Sequence, residues 1–162
     1  MPLYTVNSDT TLPSNISITQ NSPDAAGPRL TLDVNGFPDA VKTGQVGHVD
    51  ANGIGLFTVG QFQCMCLIVV KMNGDAWGGA WLAHVSHARH SKVAEILGHV
   101  DNTCYAAVAS RSGMRDAVAD LAQHFLDRGA KRVWQYLGRS GNEGLGVFSG
   151  FGIRNDGVMG EP

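Results

Sequence analysis

Residues 58–84 read TVGQFQCMCLIVVKMNGDAWGGAWLAH, and this stretch decides the fold. A polar, glycine-containing approach, Thr58 to Gln63, leads into the apolar run Cys64-Met65-Cys66-Leu67-Ile68-Val69-Val70. A turn at Met72-Asn73-Gly74-Asp75 follows, and then a return segment from Ala76 to His84. Asn-Gly between two apolar runs is a strong hairpin signal, because both residues accept the positive φ of a tight turn. The arms are expected side by side, and register decides which residues meet. With Asn73-Gly74 alone as the turn, Cys64 falls opposite Ala83 and His84 points to the other face. With a three-residue loop, or a one-residue bulge at Gly78-Gly79, Cys64 falls directly opposite His84. Directly opposed residues have Cβ atoms about 5 Å apart, close enough for a thiol to meet an imidazole.

Such a pair carries chemistry. A free thiol, with a pKa of about 8.5, is mostly protonated at neutral pH, and only the thiolate is the nucleophile. A histidine within reach takes the proton and later hands it to the leaving group. Attack on an amide also needs donors for the oxyanion, commonly backbone N–H groups at a tight bend, and Gly60 with the polar residues up to Gln63 suits one. Cys66 competes with Cys64: it shares the strand face, but these registers put it opposite Leu82, reaching His84 only diagonally. The bland alternative is that Cys64-Met65-Cys66 is simply a core strand, since cysteine is among the most buried residue types.

Working outward, 162 residues make one domain large enough for a proper core. The formal charge is −2, with neither a basic stripe for nucleic acid nor an acidic tail. No apolar run is long enough to cross a membrane, and no charged-then-apolar leader directs Sec-type export. Three cysteines argue against a disulfide framework and for reduced thiols. The 21 glycines mark many turns and point to a strand-rich chain.

Residues 1–40 are rich in Ser, Thr, Asn and Pro and read as a polar extension, mobile or a leader for a specialised secretion system. Short strands are expected there at 16–18 and 30–34. Residues 41–162 read as the domain proper. Strands are expected at 44–49, 54–59, 103–108, 131–137 and 145–151. Ser91 caps a short helix ending at Gly98, and Ser112 opens a longer one from Gly113 to Arg128. In the latter, Met114, Val118, Leu121 and Phe125 form an apolar stripe. The tail from Arg154 is expected to be exposed. The fold class is α+β: a predominantly antiparallel, sandwich-like β core flanked by about two helices.

No metal or cofactor is expected. His84, His87 and His90 cannot all converge on one ion from a helix, and neither CxxC nor HExxH occurs. His48, His99 and His124 carry no pattern. Cys104 falls on an alternating strand as a core residue. The glycine-rich Gly138–Gly152 lacks the lysine and the strand–loop–helix setting of a P-loop.

The central stretch resembles the CheD-like and cytotoxic-necrotizing-factor-like deamidases. Thr58-Val59-Gly60-Gln61-Phe62-Gln63-Cys64 is similar to the chemoreceptor deamidase pattern T-x-G-x-G-S-C, an apolar strand follows, and Gly78-Gly79 leading to Leu82-Ala83-His84 is similar to the return strand G-G-M-A-H. The sequence departs from that pattern at Gln61-Phe62-Gln63 and in the longer spacing from Gly-Gly to His. The resemblance implies that Cys64 is the nucleophile, His84 the general base and Thr58 the orienting residue, through its hydroxyl or its backbone carbonyl. Gly60 and Gln63 would position the oxyanion or substrate. It implies hydrolysis of a glutamine side-chain amide on a protein substrate through a thioester, with transamidation as a side activity. The polar leader and the departures prefer an exported bacterial effector or toxin, made in the cytoplasm and delivered by a non-Sec system, over a receptor deamidase. The target protein and any chaperone or immunity partner are unnamed by the sequence. Two other readings stand beside it: a protease or acyltransferase on the same pair, and a β-rich binding module whose cysteines are core.

Overall fold

The computed structural model describes residues 32–60, 64–74, 76–111, 114–138, 150–157, 159–160 and 162, together with short strand segments at 3–5, 10–11 and 17–18. The strands in chain order are β1 (Leu3–Thr5), β2 (Thr10–Thr11), β3 (Ser17–Ile18), β4 (Val46–Asp50), β5 (Gly55–Val59), β6 (Met65–Asn73) and β7 (Ala76–Val85), followed after α1 (Ser91–Leu97) by β8 (Cys104–Arg111). Then come α2 (Arg115–Asp127), β9 (Val133–Gly138), β10 (Gly150–Arg154) and β11 (Met159–Gly160). A six-stranded sheet runs β1-β9-β8-β6-β7-β4, a three-stranded sheet runs β11-β10-β5, and β2 pairs with β3. Pairing is mostly antiparallel. The exceptions are β9 with β8 and with β1, and the parallel β8–β9 pair is the one bridged by a helix, α2. This is the expected α+β class.

Strand β6 explains the layering. Met65 to Val70 are all fully buried, so this run is apolar on both faces, as a strand covered on both sides must be. Cys66, Ile68, Val70 and Met72 face a core shared with Leu56, Phe151, Ile153 and Met159 of the smaller sheet. Met65, Leu67 and Val69 face a second core with Val93, Ile96 and Leu97 of α1 and Val118, Leu121 and Phe125 of α2. The molecule is thus small sheet, large sheet, helices. The expected stripe on α2 is the face that packs, and emptying its Phe125 site would cost about 3–5 kcal/mol.

Local differences have physical reasons. The cap of α1 is His90, whose side chain accepts from the Lys92 backbone N–H, so Ser91 already lies inside the helix. Met114 starts α2 without a side-chain cap, and Ser112 lies outside the described residues. The tail is not exposed throughout: Met159 is buried because β11 pairs with β10. Leu32 is also buried, although 32–34 is not a strand, so the expected strand there did not form in its described part. Strand β10 takes up the last part of the strand expected at 145–151, and residues 139–149 lie outside the described set.

Candidate functional site

The hairpin β6–β7 forms with a register different from those considered. Asn73 pairs with Ala76, so the turn begins at Gly74, with φ +64, rather than at Asn73. A register shift follows between Val70 and Met72, where β7 has one residue more than β6: Met72 pairs with Trp77 and Val70 with Ala80. The bulge at Gly78-Gly79 therefore exists, and Gly79 takes φ +109 in it. Turn and bulge together carry the pairing two residues beyond the registers that place Cys64 opposite His84. Cys66, not Cys64, sits opposite His84. Cys64 lies two residues outside, immediately before β6 and beyond the Met65–Val85 pair.

The bulge also assigns the two tryptophans to opposite faces. Trp77 packs towards the inter-sheet core and Trp81 towards the helices. His48 and His99, for which the sequence offered no role, stack on either side of Trp81 with ring centroids 4.5 Å away in each case.

His84 is fully buried and faces the inter-sheet core side, where β5 lies across from it. Thr58 of β5, also fully buried, has its Oγ1 2.6 Å from His84 Nδ1. The same hydroxyl donates to the Val41 carbonyl at 2.6 Å. A hydroxyl carries one hydrogen. With that hydrogen on Val41, Thr58 accepts from His84 Nδ1–H, and Nε2 is left with the lone pair. The carbonyl–hydroxyl–imidazole chain selects the tautomer a general base needs. Burial lowers the pKa of His84 from its ordinary value, so the ring is held neutral.

The segment 41–45 clasps the histidine. Gly44 N–H donates to the His84 carbonyl at 2.6 Å, and His84 N–H donates to Gln45 O at 3.2 Å. Thr43 Oγ1 lies 3.5 Å from Nε2. Val41 is held in place by a bridge to Thr58 and by its own N–H on Phe57 O at 2.8 Å.

Cys64 is partly exposed, while Cys66 and Cys104 are buried. Burial raises the Cys64 thiol above its ordinary pKa and raises Cys66 much further. The backbone of Cys64 is fixed by Ser110, a fully buried residue of β8 whose hydroxyl donates to the Cys64 carbonyl at 3.0 Å. No hydrogen bond joins the Cys64 thiol to His84 among the described residues. Gly60 is exposed with φ +73, which fits the expected bend, whereas Gln61, Phe62 and Gln63 lie outside the described residues. Among the described residues, no three metal-ligating side chains cluster.

Thr58 and His84 were thus legible as site residues, whereas Val41, Thr43 and Ser110 were not. Their contributions run through a carbonyl, a long contact and a backbone clamp, none of which leaves a spacing pattern. The Thr43-Gly44 turn, with Gly44 at φ +78, is the only local trace. Compared with known proteins, the sequence matches no family model and no curated protein.

Proposed function

We propose that the protein is a Cys–His amidohydrolase that deamidates glutamine side chains on another protein. The observation that carries this reading is the chain from Val41 O through Thr58 Oγ1 to His84 Nδ1, which leaves Nε2 as an oriented, neutral base. Nδ1 is tightly held at 2.6 Å, whereas Nε2 has only the longer Thr43 Oγ1 partner at 3.5 Å, a bond that a reacting group can replace.

The reaction follows from those groups. As Cys64 Sγ attacks the amide carbon, His84 Nε2 takes the thiol proton, and the carbonyl oxygen becomes the oxyanion. The imidazolium returns the proton to the departing nitrogen, which leaves as ammonia, and a thioester remains. His84 Nε2 then takes a proton from water as the water oxygen adds to the thioester carbon, and returns it to the Cys64 sulfur as the C–S bond breaks and the glutamate side chain forms. Throughout, His84 Nδ1 keeps its hydrogen and donates it to Thr58 Oγ1, whose own bond to the Val41 carbonyl helps that oxygen stabilise the cationic ring. Since neither thiol nor imidazole is shifted towards an ion pair, proton transfer accompanies attack rather than preceding it.

The Ser/Thr/Asn-rich composition of residues 1–40 and the departure at 61–63 support the exported effector or toxin branch, with a target-cell protein as substrate. No helix among the described residues is long and apolar enough to cross a membrane. The test is incubation of the full chain with a proteome from candidate target cells, with ammonia and peptide masses as readouts. Glutamine-to-glutamate mass gains that vanish with Cys64→Ala support the reading. Cleaved chains in their place assign a protease, and indistinguishable profiles from wild type and Cys64→Ala refute catalysis at this residue.

A further inference from the structure

A second site lies on the helix side of the large sheet. A groove of about 220 Å³ is bounded by the turn before α1, by α1 itself and by the last turn of α2. Its floor is apolar, from the buried Val93 and Leu97, with Ala88 and the exposed Ala94 beside them. Its rim carries Arg89, His90, His124 and Arg128, and no carboxylate lines it. The chain as a whole is slightly acidic, with 14 Asp and Glu against 12 Lys and Arg, so two arginines around one depression without a carboxylate run against its average. Neither arginine has an ion-pair partner among the described residues, whereas Lys92 is neutralised by Glu95 and Arg154 by Asp156. Arg89 and Arg128 are exposed and ready to bind.

We propose that this groove binds an acidic peptide segment of a partner protein, with aliphatic residues on the floor and Asp or Glu side chains on the arginine rim. Arginine forks match carboxylates in bidentate geometry, and an apolar floor rewards a side chain that a bare phosphate does not have. The groove lies at the same end of β7 as the proposed catalytic centre, on the other face of the large sheet. Its wall at 88–90 leaves β7 at the edge where Cys64 enters β6, since Met65 pairs with Val85. His90 lies beside Gly44, where a Cβ would come 3.7 Å from its Nε2, and the Gly44 N–H holds the His84 carbonyl. An occupant of the groove would therefore be anchored next to the clasp around His84. That the occupant is the substrate rests on the amidohydrolase reading; that the groove takes an acidic peptide does not.

The test measures fluorescence anisotropy of a labelled peptide of alternating Glu and Leu residues, titrated with the full-length wild-type protein. A peptide with Lys at each Glu position serves as the opposite-charge probe. The acidic peptide is expected to bind, to weaken as salt rises, and to lose at least tenfold in affinity with Arg89→Glu and with Arg128→Gln. The second variant removes the charge without placing an anion at a helix C-terminus. Lys131→Glu changes an exposed charge outside the groove and is expected to leave affinity within twofold. Absence of binding, equal binding of the Lys peptide, or insensitivity to both arginine variants overturns the proposal. Displacement of the peptide by equimolar inorganic phosphate also overturns it, because the groove would then select phosphate. Ammonia release from the candidate proteome is read separately. Peptide binding without Cys64-dependent ammonia leaves the groove standing and removes the enzyme, and the converse result removes only the groove.

Discussion

Thr58 and His84, 26 positions apart in the chain and on different sheets, share a 2.6 Å hydrogen bond sealed from solvent. Because the Thr58 proton is committed to the Val41 carbonyl, the bond has a direction, and the direction decides which imidazole nitrogen is free for chemistry. Deleting the hydroxyl leaves Nδ1–H and Val41 O buried without each other's intermediary.

Thr58→Val is therefore expected to destabilise the fold by about 1–3 kcal/mol, the usual cost of stranding buried polar groups. Ammonia release should fall by roughly a hundredfold, the scale of a misdirected general base. Thr58→Ser keeps the oxygen and should recover most of both. Urea unfolding and the ammonia assay check this. A Val variant with the activity of the Ser variant would remove Thr58 from the mechanism.

The lowered pKa of His84 sets the acid side of the pH profile. Its folded value lies below its unfolded value, so the unfolded chain takes up the proton first as pH falls. The contribution to stability is intact above the ordinary histidine value of about 6.5 and is lost as pH drops from there through the folded value. Activity depends on the neutral ring and should hold below about pH 6.5 until the folded value is reached. Urea midpoints and ammonia rates across that range test the sign. An acid limb centred at or above the ordinary value would contradict a buried, neutral base.

Among the three cysteines, native-state alkylation should select Cys64, the only one with exposed surface. The rate should climb steeply on the alkaline side, because burial raises this thiol above its ordinary value and no resting ion pair lowers it. Cys66→Ala should cost about 1–2 kcal/mol as a small cavity in the inter-sheet core and retain activity. Mass spectrometry of labelled peptides across pH reads the first outcome, and ammonia release by the folded variant reads the second. A folded but inactive Cys66→Ala protein would move the nucleophile to the residue opposite His84.

The elements were legible wherever pattern and burial coincide. The run from Met65 to Val70 announced a central strand, and the stripe from Val118 to Phe125 announced a helix face, because both are consequences of local periodicity. Register was not legible. It came from two local choices, a turn starting at Gly74 and a bulge before Ala80, whose effects add. The bulge was expected, whereas a turn starting at Gly74 with Asn73 still paired was not, and their sum moved His84 from Cys64 to Cys66. The ends of elements were harder still. His90 caps α1 through a ring nitrogen, and Met159 of β11, paired with β10, is buried in the inter-sheet core. In the candidate site, His84 was expected from the hairpin and Thr58 from the resemblance alone. The carbonyl of Val41 was not, since a backbone acceptor carries no residue signature.

The bulge gives one further variant. In the conformation at Gly79, φ +109, a Cβ would collide with the Val49 carbonyl of the neighbouring strand. Gly79→Ala should destabilise by at least about 1–3 kcal/mol, with the loss appearing in the β4–β7 edge first. Amide exchange along β4 and β7 measures it, and unchanged protection there would mean that the edge tolerates the side chain.

That extra residue also makes the arm tolerant of a length change at one place and intolerant of it at the next. From Ala80 to His84, every second side chain faces one core and the rest face the other. Removing a single codon at Gly78 or Gly79 while the turn holds would erase the bulge and leave Val70 opposite Ala80 and Cys66 opposite His84, so both sets would keep their faces. Removing one between Ala80 and His84 would instead exchange the sets beyond the cut and send His84 towards the helices. Lineages carrying this domain are expected to vary the length of the arm at its glycines and not between Ala80 and His84.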